Sequence, residues 1–230
     1  MITVSPPAAV LFDLDGTLAD TAPDLAYALN CTLSHYGKDT LSYERIRPVV
    51  SHGGIALIRL GFGIEPDHPA FEEKRQYLLN VYAQNLLRDT CLFPGMSDIL
   101  ELLEARGTPW GIVTNKPAWL TDPLIEAMQL QQRAGAVVSG DTCQHRKPHP
   151  EPILHACNRL RQPAAQSWYI GDAGRDMEAG RAAGCVTVAA LYGYLYPDDP
   201  PDSWDSDIEI DSPAQLMKLL HDCYADAQPR

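Results

Sequence analysis

Ala8-Ala9-Val10-Leu11-Phe12-Asp13-Leu14-Asp15-Gly16-Thr17 is the stretch that decides the fold of this chain. Five apolar residues run without a break into two aspartates, a glycine and a threonine. Such a run describes a strand buried on both faces of a parallel sheet. Ligands of these sheets bind beyond the carboxyl ends of the strands, which is where Asp13 falls. Asp13 and Asp15 are two residues apart, so an extended backbone points both carboxylates the same way. Gly16 permits a sharp turn after them. Converging carboxylates repel one another unless a cation or a proton relieves them. Alone, the same residues also describe a strand-to-helix turn with Asp as the helix cap.

Similar short apolar runs recur downstream at Trp110–Val113, Ala136–Val138, Trp168–Ile170, Val186–Leu191 and Ile208–Ile210. Amphipathic stretches separate them: Met96–Arg106, Trp119–Met128, Pro152–Leu160, Asp176–Ala183 and Pro213–Ala225. Alternation of this kind predicts an α/β protein with a doubly wound, Rossmann-like parallel sheet. One connection is too long. A strand–helix–strand unit needs roughly 30 residues, yet the second strand begins near Trp110. The excess reads as helices at Pro23–Tyr36, Tyr43–Val50, Gly54–Leu60 and Pro69–Leu87. Within it Phe71, Leu78, Leu79, Tyr82 and Leu86 recur at helical spacing. The division expected is an α/β core of residues 1–19 and 91–230, with a helical domain of residues 20–90 inserted after the first strand. Two domains in series fit less well, because the sheet pattern resumes after the block.

Composition narrows the function. Eighteen Lys and Arg against 30 Asp and Glu give a net charge of −12. A chain this acidic lacks the basic face that nucleic acid or an anionic membrane requires. No apolar run approaches the roughly 20 residues that span a bilayer, and the N-terminus carries no basic segment of a signal peptide. The six cysteines include no C-x-x-C pair, so reduced thiols in the cytoplasm are expected rather than a zinc or redox motif. His145 and His149 have helical metal-pair spacing, but Pro148 and Pro150 break any helix there, and they read as loop polarity.

Three further motifs each follow a strand. Thr114-Asn115-Lys116 offers a hydroxyl and an amide that can donate to phosphate oxygens. Arg146-Lys147-Pro148 supplies a lysine able to face the carboxylates and hold phosphate as a point charge. Gly171-Asp172-Ala173-Gly174-Arg175-Asp176 adds two carboxylates four residues apart. Singly these are ordinary turn, basic-loop and capping residues. Together they set four carboxylates at one sheet edge, which repels a phosphate dianion unless a divalent cation reverses the sign. Oxygen donors without Cys or His select Mg²⁺.

The order Asp-x-Asp, Thr, Lys, Gly-Asp-x-x-x-Asp resembles the haloacid dehalogenase superfamily of phosphatases, over nearly the whole chain. The resemblance implies that Asp13 is the nucleophile and forms an aspartyl phosphate. It implies that Asp15 is general acid and then base. Mg²⁺ would be held by the Asp13 carboxylate, the Asp15 carbonyl and Asp172. Thr114, Asn115 and Lys147 would hold the phosphoryl group, and Asp176 would orient Lys147 or the metal's waters. Many relatives carry an acid where this chain has Ala173, which leaves the metal site to Asp172 and Asp176. The dehalogenase branch lacks a second carboxylate like Asp15 and needs no metal, so Asp15 points to phosphate chemistry.

The inserted block resembles the cap of the phosphoglycolate phosphatase group, which closes over the site and contacts the leaving group. Arg45-Ile46-Arg47-Pro48-Val49-Val50-Ser51-His52-Gly53-Gly54 is its expected specificity segment. Arg47 would pair a substrate carboxylate, and Ser51, His52, Gly53 and Gly54 would approach the substrate. Val49–Gly54, Thr114–Pro117 and Tyr192–Asp198 resemble the N-acetylmuramic acid 6-phosphate phosphatases of bacterial cell-wall recycling, with 2-phosphoglycolate as the alternative substrate. The partner expected is therefore a small phosphate monoester. A sugar phosphomutase of the same superfamily and a phosphate-accepting receiver module are weaker readings. Receivers lack a large insertion after the first strand.

Overall fold

A computed structural model describes residues 5–226. The chain opens with β1 (Val10–Phe12) and β2 (Ala19–Asp20). Four helices follow: α1 (Ala22–His35), α2 (Tyr43–Ile46), α3 (Gly53–Phe62) and α4 (Phe71–Gln84). It returns through β3 (Cys91–Leu92) and continues with α5 (Met96–Ala105), β4 (Trp110–Val113), α6 (Ala118–Ala127), β5 (Ala136–Val138) and α7 (Glu151–Leu160). The last part holds β6 (Trp168–Gly171), α8 (Gly174–Ala183), β7 (Val186–Ala190), β8 (Ile208–Ile210) and α9 (Pro213–Asp226). Among the described residues no helix is long and apolar enough to cross a membrane.

Six strands form a parallel sheet in the order β5-β4-β1-β6-β7-β8. β1 lies between β4 and β6, with Val10 opposite both Trp110 and Trp168. The fold is thus the Rossmann-like α/β sheet expected from the apolar runs. Val10, Leu11 and Phe12 are all fully buried, because the pleat sends them to opposite faces and both faces are covered. Leu11 packs with Val113, Val138, Ile153 and Cys157. Val10 and Phe12 join Ile99, Leu103, Leu216 and Leu220 on the other face. Removing each such side chain from water contributes about 1.5–3 kcal/mol. Strand order reverses at β1, so the loops after β1, β4 and β6 part there and leave a crevice.

The inserted helices bury Leu29, Leu33, Leu57, Ile58, Leu78 and Tyr82 in the same apolar cluster as one face of the sheet. The chain leaves and re-enters the core through β2 and β3, a two-rung antiparallel ladder pairing Ala19 with Leu92 and Asp20 with Cys91. Two-residue strands carry no readable periodicity, so this pair does not show in the sequence. Buried Asp24 fastens the same crossing, accepting hydrogen bonds from the amides of Arg88, Asp89 and Thr90 and from the Thr90 hydroxyl. The helix expected over Tyr43–Val50 stops at Ile46, and Arg47–His52 continues as a 3₁₀ helix. Pro48 explains the break, since it donates no amide and its ring crowds the preceding turn.

Candidate active site

The loops that follow the central strands bring the acidic residues together. Carboxylate oxygens of Asp13, Asp172 and Asp176 lie within 4.8 Å of one another, and all three residues are buried. Lys147 reaches them from the loop after β5. Its Nζ lies 2.8 Å from Asp13 Oδ1 and 2.7 Å from Asp176 Oδ1. It also donates to the Val113 carbonyl at 2.8 Å. Burial pushes the Asp13 carboxyl up, with Lys147 opposing it. For Asp176 burial also pushes upward, but Lys147 and Arg175 outweigh it and hold the carboxyl below its usual range. Asp172 has no lysine, and burial followed by repulsion from Asp13 and Asp176 raises it to about 7.

Asp172 is instead held by dipoles. Ser51 Oγ donates to its Oδ2 at 2.7 Å, and so does the Tyr194 amide at 2.8 Å. Thr17 Oγ1 approaches Oδ1 at 3.3 Å. Gly16 has φ +89°, and a Cβ there would run into the Asp172 carboxylate. The tight turn read from Asp15-Gly16-Thr17 is therefore also what lets Asp172 approach β1. The trio suits a hard divalent cation. Its donors are all oxygen, they repel one another, and Asp176 Oδ2 is buried without a hydrogen-bond partner. Asp13, Asp172 and Asp176 are the side chains that could hold a divalent cation.

Asp15 faces a different way. Its carboxylate pairs with Lys116 Nζ at 2.5 Å and accepts from Thr21 Oγ1. Lys116 in turn donates to the hydroxyl of Tyr82, which comes from α4, at 3.0 Å. Burial lowers the affinity of Lys116 for its proton, but Asp15 and Tyr82 more than restore it, so the lysine stays charged. Thr114 sits buried at the end of β4. Asn115 spends its side chain on the Lys147 backbone, donating to the carbonyl at 2.9 Å and accepting from the amide at 3.0 Å. It thereby fixes the lysine's loop.

These groups surround a cavity of about 360 Å³ between the sheet edge and the inserted helices. Asp13, Asp15, Thr114, Asn115 and Lys147 line its floor. Ser51, His52, Gly53 and Gly54 line the opposite wall. Arg47 is not brought in. Its guanidinium donates to the carbonyls of Gly193 at 3.0 Å and Tyr192 at 3.1 Å, and lies 4.9 Å from the Tyr194 ring centroid. It latches the inserted helices to the core. Arg175, also on the cavity wall, donates to the Ser51 carbonyl at 2.8 Å and adds a second latch.

Lys116, Tyr82, Thr21, Arg75 and Arg175 belong to the site but received no role from sequence reasoning. Lys116 stood in the quoted Thr114-Asn115-Lys116 motif, where its charge was the available signal. Tyr82 kept the periodicity of a core residue and gave none. His145, His149 and Glu151 form a second cluster of metal-ligating types. It is exposed, and His145 and Glu151 are already paired at 2.9 Å.

A reversing parallel sheet, with carboxylates and cations facing one cavity at its carboxyl edge, suits an anionic ligand held with a cation. The chain belongs to the haloacid dehalogenase-like hydrolases, whose family profile matches residues 10–190. Within that family it is a phosphatase, as its relatives show. It is 43% identical to a phosphoglycolate phosphatase of Xanthomonas campestris pv. campestris, over 92% of this chain and 96% of that one. It is 37% identical to an N-acetylmuramic acid 6-phosphate phosphatase of Pseudomonas putida, over 92% of this chain and 95% of that one. Among solved structures it is similar to a predicted phosphoglycolate phosphatase from Haemophilus somnus. That match has a TM-score of 0.81 and 27% identity, covering 92% of this chain and 97% of that one.

Proposed function

We propose that the protein is a Mg²⁺-dependent phosphomonoesterase working through an aspartyl phosphate on Asp13, with N-acetylmuramic acid 6-phosphate as substrate. The observation that carries the chemistry is Lys147 lying 2.8 Å from Asp13 in a fully buried setting, which keeps a desolvated carboxylate available as a nucleophile. An Asp13 oxygen attacks phosphorus while the bond to the leaving oxygen breaks, and Asp15, entering the step protonated and released from Lys116, delivers that proton to the leaving oxygen. Asp15 then takes a proton from water as it attacks the aspartyl phosphate, releasing phosphate and restoring Asp13. Thr114 and Lys147 bind the phosphoryl oxygens, and Asn115 and Asp176 position Lys147. Asp13, the Asp15 carbonyl and Asp172, with Asp176 beside them, would hold Mg²⁺, which would supply positive charge to the phosphoryl group. Residues 20–90 act as the cap, which excludes water and contacts the leaving group.

Cavity size supports the sugar. A volume of about 360 Å³ lies in the range of roughly 300–1,000 Å³ that encloses drug-sized ligands, and a two-carbon acid would fill little of it. The second reading, 2-phosphoglycolate, is supported by the name of the 43% identical Xanthomonas relative. Six cysteines without a C-x-x-C pair fit work in the reducing cytoplasm. Phosphate release from both substrates, with and without Mg²⁺, tests the reading. N-acetylmuramic acid 6-phosphate should show the higher kcat/KM, and EDTA should abolish turnover until Mg²⁺ is restored. Preference for 2-phosphoglycolate overturns the sugar, and full turnover in EDTA overturns the metal.

A further inference from the structure

The cavity's cations divide by what already holds them. Lys147 is committed to Asp13 and Asp176, and Lys116 to Asp15. Arg175 is committed to the Ser51 carbonyl. On the wall made by the inserted helices, Arg75 of α4 is the exception. A single nitrogen, Nη1, is hydrogen-bonded, to Glu72 at 2.7 Å. In that pair Arg75 is half-buried and Glu72 open to solvent, with side-chain exposures of 30% and 68%. Exposed pairs of this type contribute about 0–1 kcal/mol and are readily exchanged for a better partner.

Arg75 does not stand alone. Its Cγ would lie 3.6 Å from a Cβ on Gly54, so its stem crosses the first turn of α3. Gly53, Gly54 and Ile55, the opening of that helix, line the same cavity. No side chain caps this ten-residue helix and no acid lies in its first turn. The Gly53 amide is taken by the Val50 carbonyl, and the uncapped turn that follows it still favours an anion. The apolar wall around Arg75 comes from Leu25, Val50, Ile55 and Leu79.

We propose that Arg75, aided by the amide end of α3, binds a carboxylate carried by the leaving group. The inference rests on the phosphomonoesterase reading and adds the group that selects the alcohol. One guanidinium and one helix end match a single negative charge, and the fork of the guanidinium fits two carboxylate oxygens. The phosphate end of the substrate is served from the opposite side by Lys147 and Thr114. A substrate is thus gripped at two anionic ends, with its uncharged body against the apolar wall.

N-acetylmuramic acid 6-phosphate and N-acetylglucosamine 6-phosphate differ by the 3-O-lactyl ether that carries the carboxylate, and the change in their kcat/KM ratio between wild type and Arg75→Ala reads the contact. The wild-type enzyme should favour the carboxylated sugar. Arg75→Ala should shrink that ratio about 10- to 100-fold, chiefly through KM of the carboxylated sugar. Arg75→Lys should keep part of it. Arg146→Ala serves as the contrast, since Arg146 also lines the cavity but extends from the core loop beside Lys147. An unchanged ratio in Arg75→Ala overturns the assignment, as does a ratio that shrinks in Arg146→Ala instead. Equal wild-type turnover of the two sugars overturns the carboxylate reader while leaving the phosphomonoesterase intact. Absence of phosphate release from any monoester overturns both.

Discussion

The sheet edge and the inserted helices face each other across one cavity, and they hold their charges differently. On the sheet side Asp13, Asp176 and Lys147 are buried and mutually paired. On the helical side Arg75 is paired only with an exposed glutamate. Desolvated groups must be matched within the protein, or the unpaired charge costs several kcal/mol. Groups at a partly open wall carry no such demand and remain free for a ligand. The contrast supports the division proposed above, with the reaction in the core's interior and the choice of alcohol left to a surface that changes at little cost to stability.

Substitutions test that contrast, beginning with the one that strikes every substrate alike. Asp13→Asn should lower phosphate release at least roughly 10⁴-fold for any monoester, with circular dichroism unchanged. A loss confined to one substrate would place the reaction elsewhere. Lys147→Ala should cost about 3–5 kcal/mol by stranding Asp13 and Asp176, seen as a melting temperature lower by roughly 6–20 °C. A shift under about 2 °C would erase the distinction between the two sides. Arg47→Ala removes two hydrogen bonds to the core and should reduce kcat/KM about tenfold. The loss should be the same for carboxylated and uncarboxylated sugars, since Arg47 latches rather than reads. A selective loss would return Arg47 to the substrate.

The smallest effect concerns Asp172 in protein stripped of metal. Its carboxyl is raised to about 7, from about 3.9 in an unfolded chain. The folded state therefore binds more protons between those values, and stability falls as pH rises through about 4 to 7. Asp172→Asn removes that penalty, so at pH 8 its metal-free melting temperature should exceed the wild type. The gain should shrink toward pH 4, and Mg²⁺ should no longer raise the melting temperature. A gain independent of pH would mean that ionisation of Asp172 is not its source.

Much of the sheet side was legible in the sequence, for a physical reason. A strand buried on both faces must be apolar throughout, so Val10–Phe12 and Trp110–Val113 announce themselves, and the polar residue after each stands at the edge. The helical side was legible only as helices. Arg47 finds its acceptors 145 and 146 residues away, and nothing in its neighbourhood distinguishes that partner from a ligand. Lys116 meets Asp15 across 101 residues. Tyr82 obeys the same spacing as Leu78 and Leu79, so its hydroxyl contact with Lys116 lies hidden under a packing pattern. Periodicity reports which way a side chain faces, and long-range polar pairing has no period.

The ladder of Ala19 and Asp20 with Leu92 and Cys91 has an engineering consequence. Departure and return run side by side, so everything between them forms a cartridge with one covalent seam, and side-chain contacts such as Arg47 to Gly193 and Arg175 to Ser51 cross elsewhere. Exchanging that cartridge for another relative's should retune selectivity while the phosphorus chemistry stays behind in the chassis. Asp24 marks where the cut belongs, because a splice between it and Thr90 would leave the hinge without its clasp.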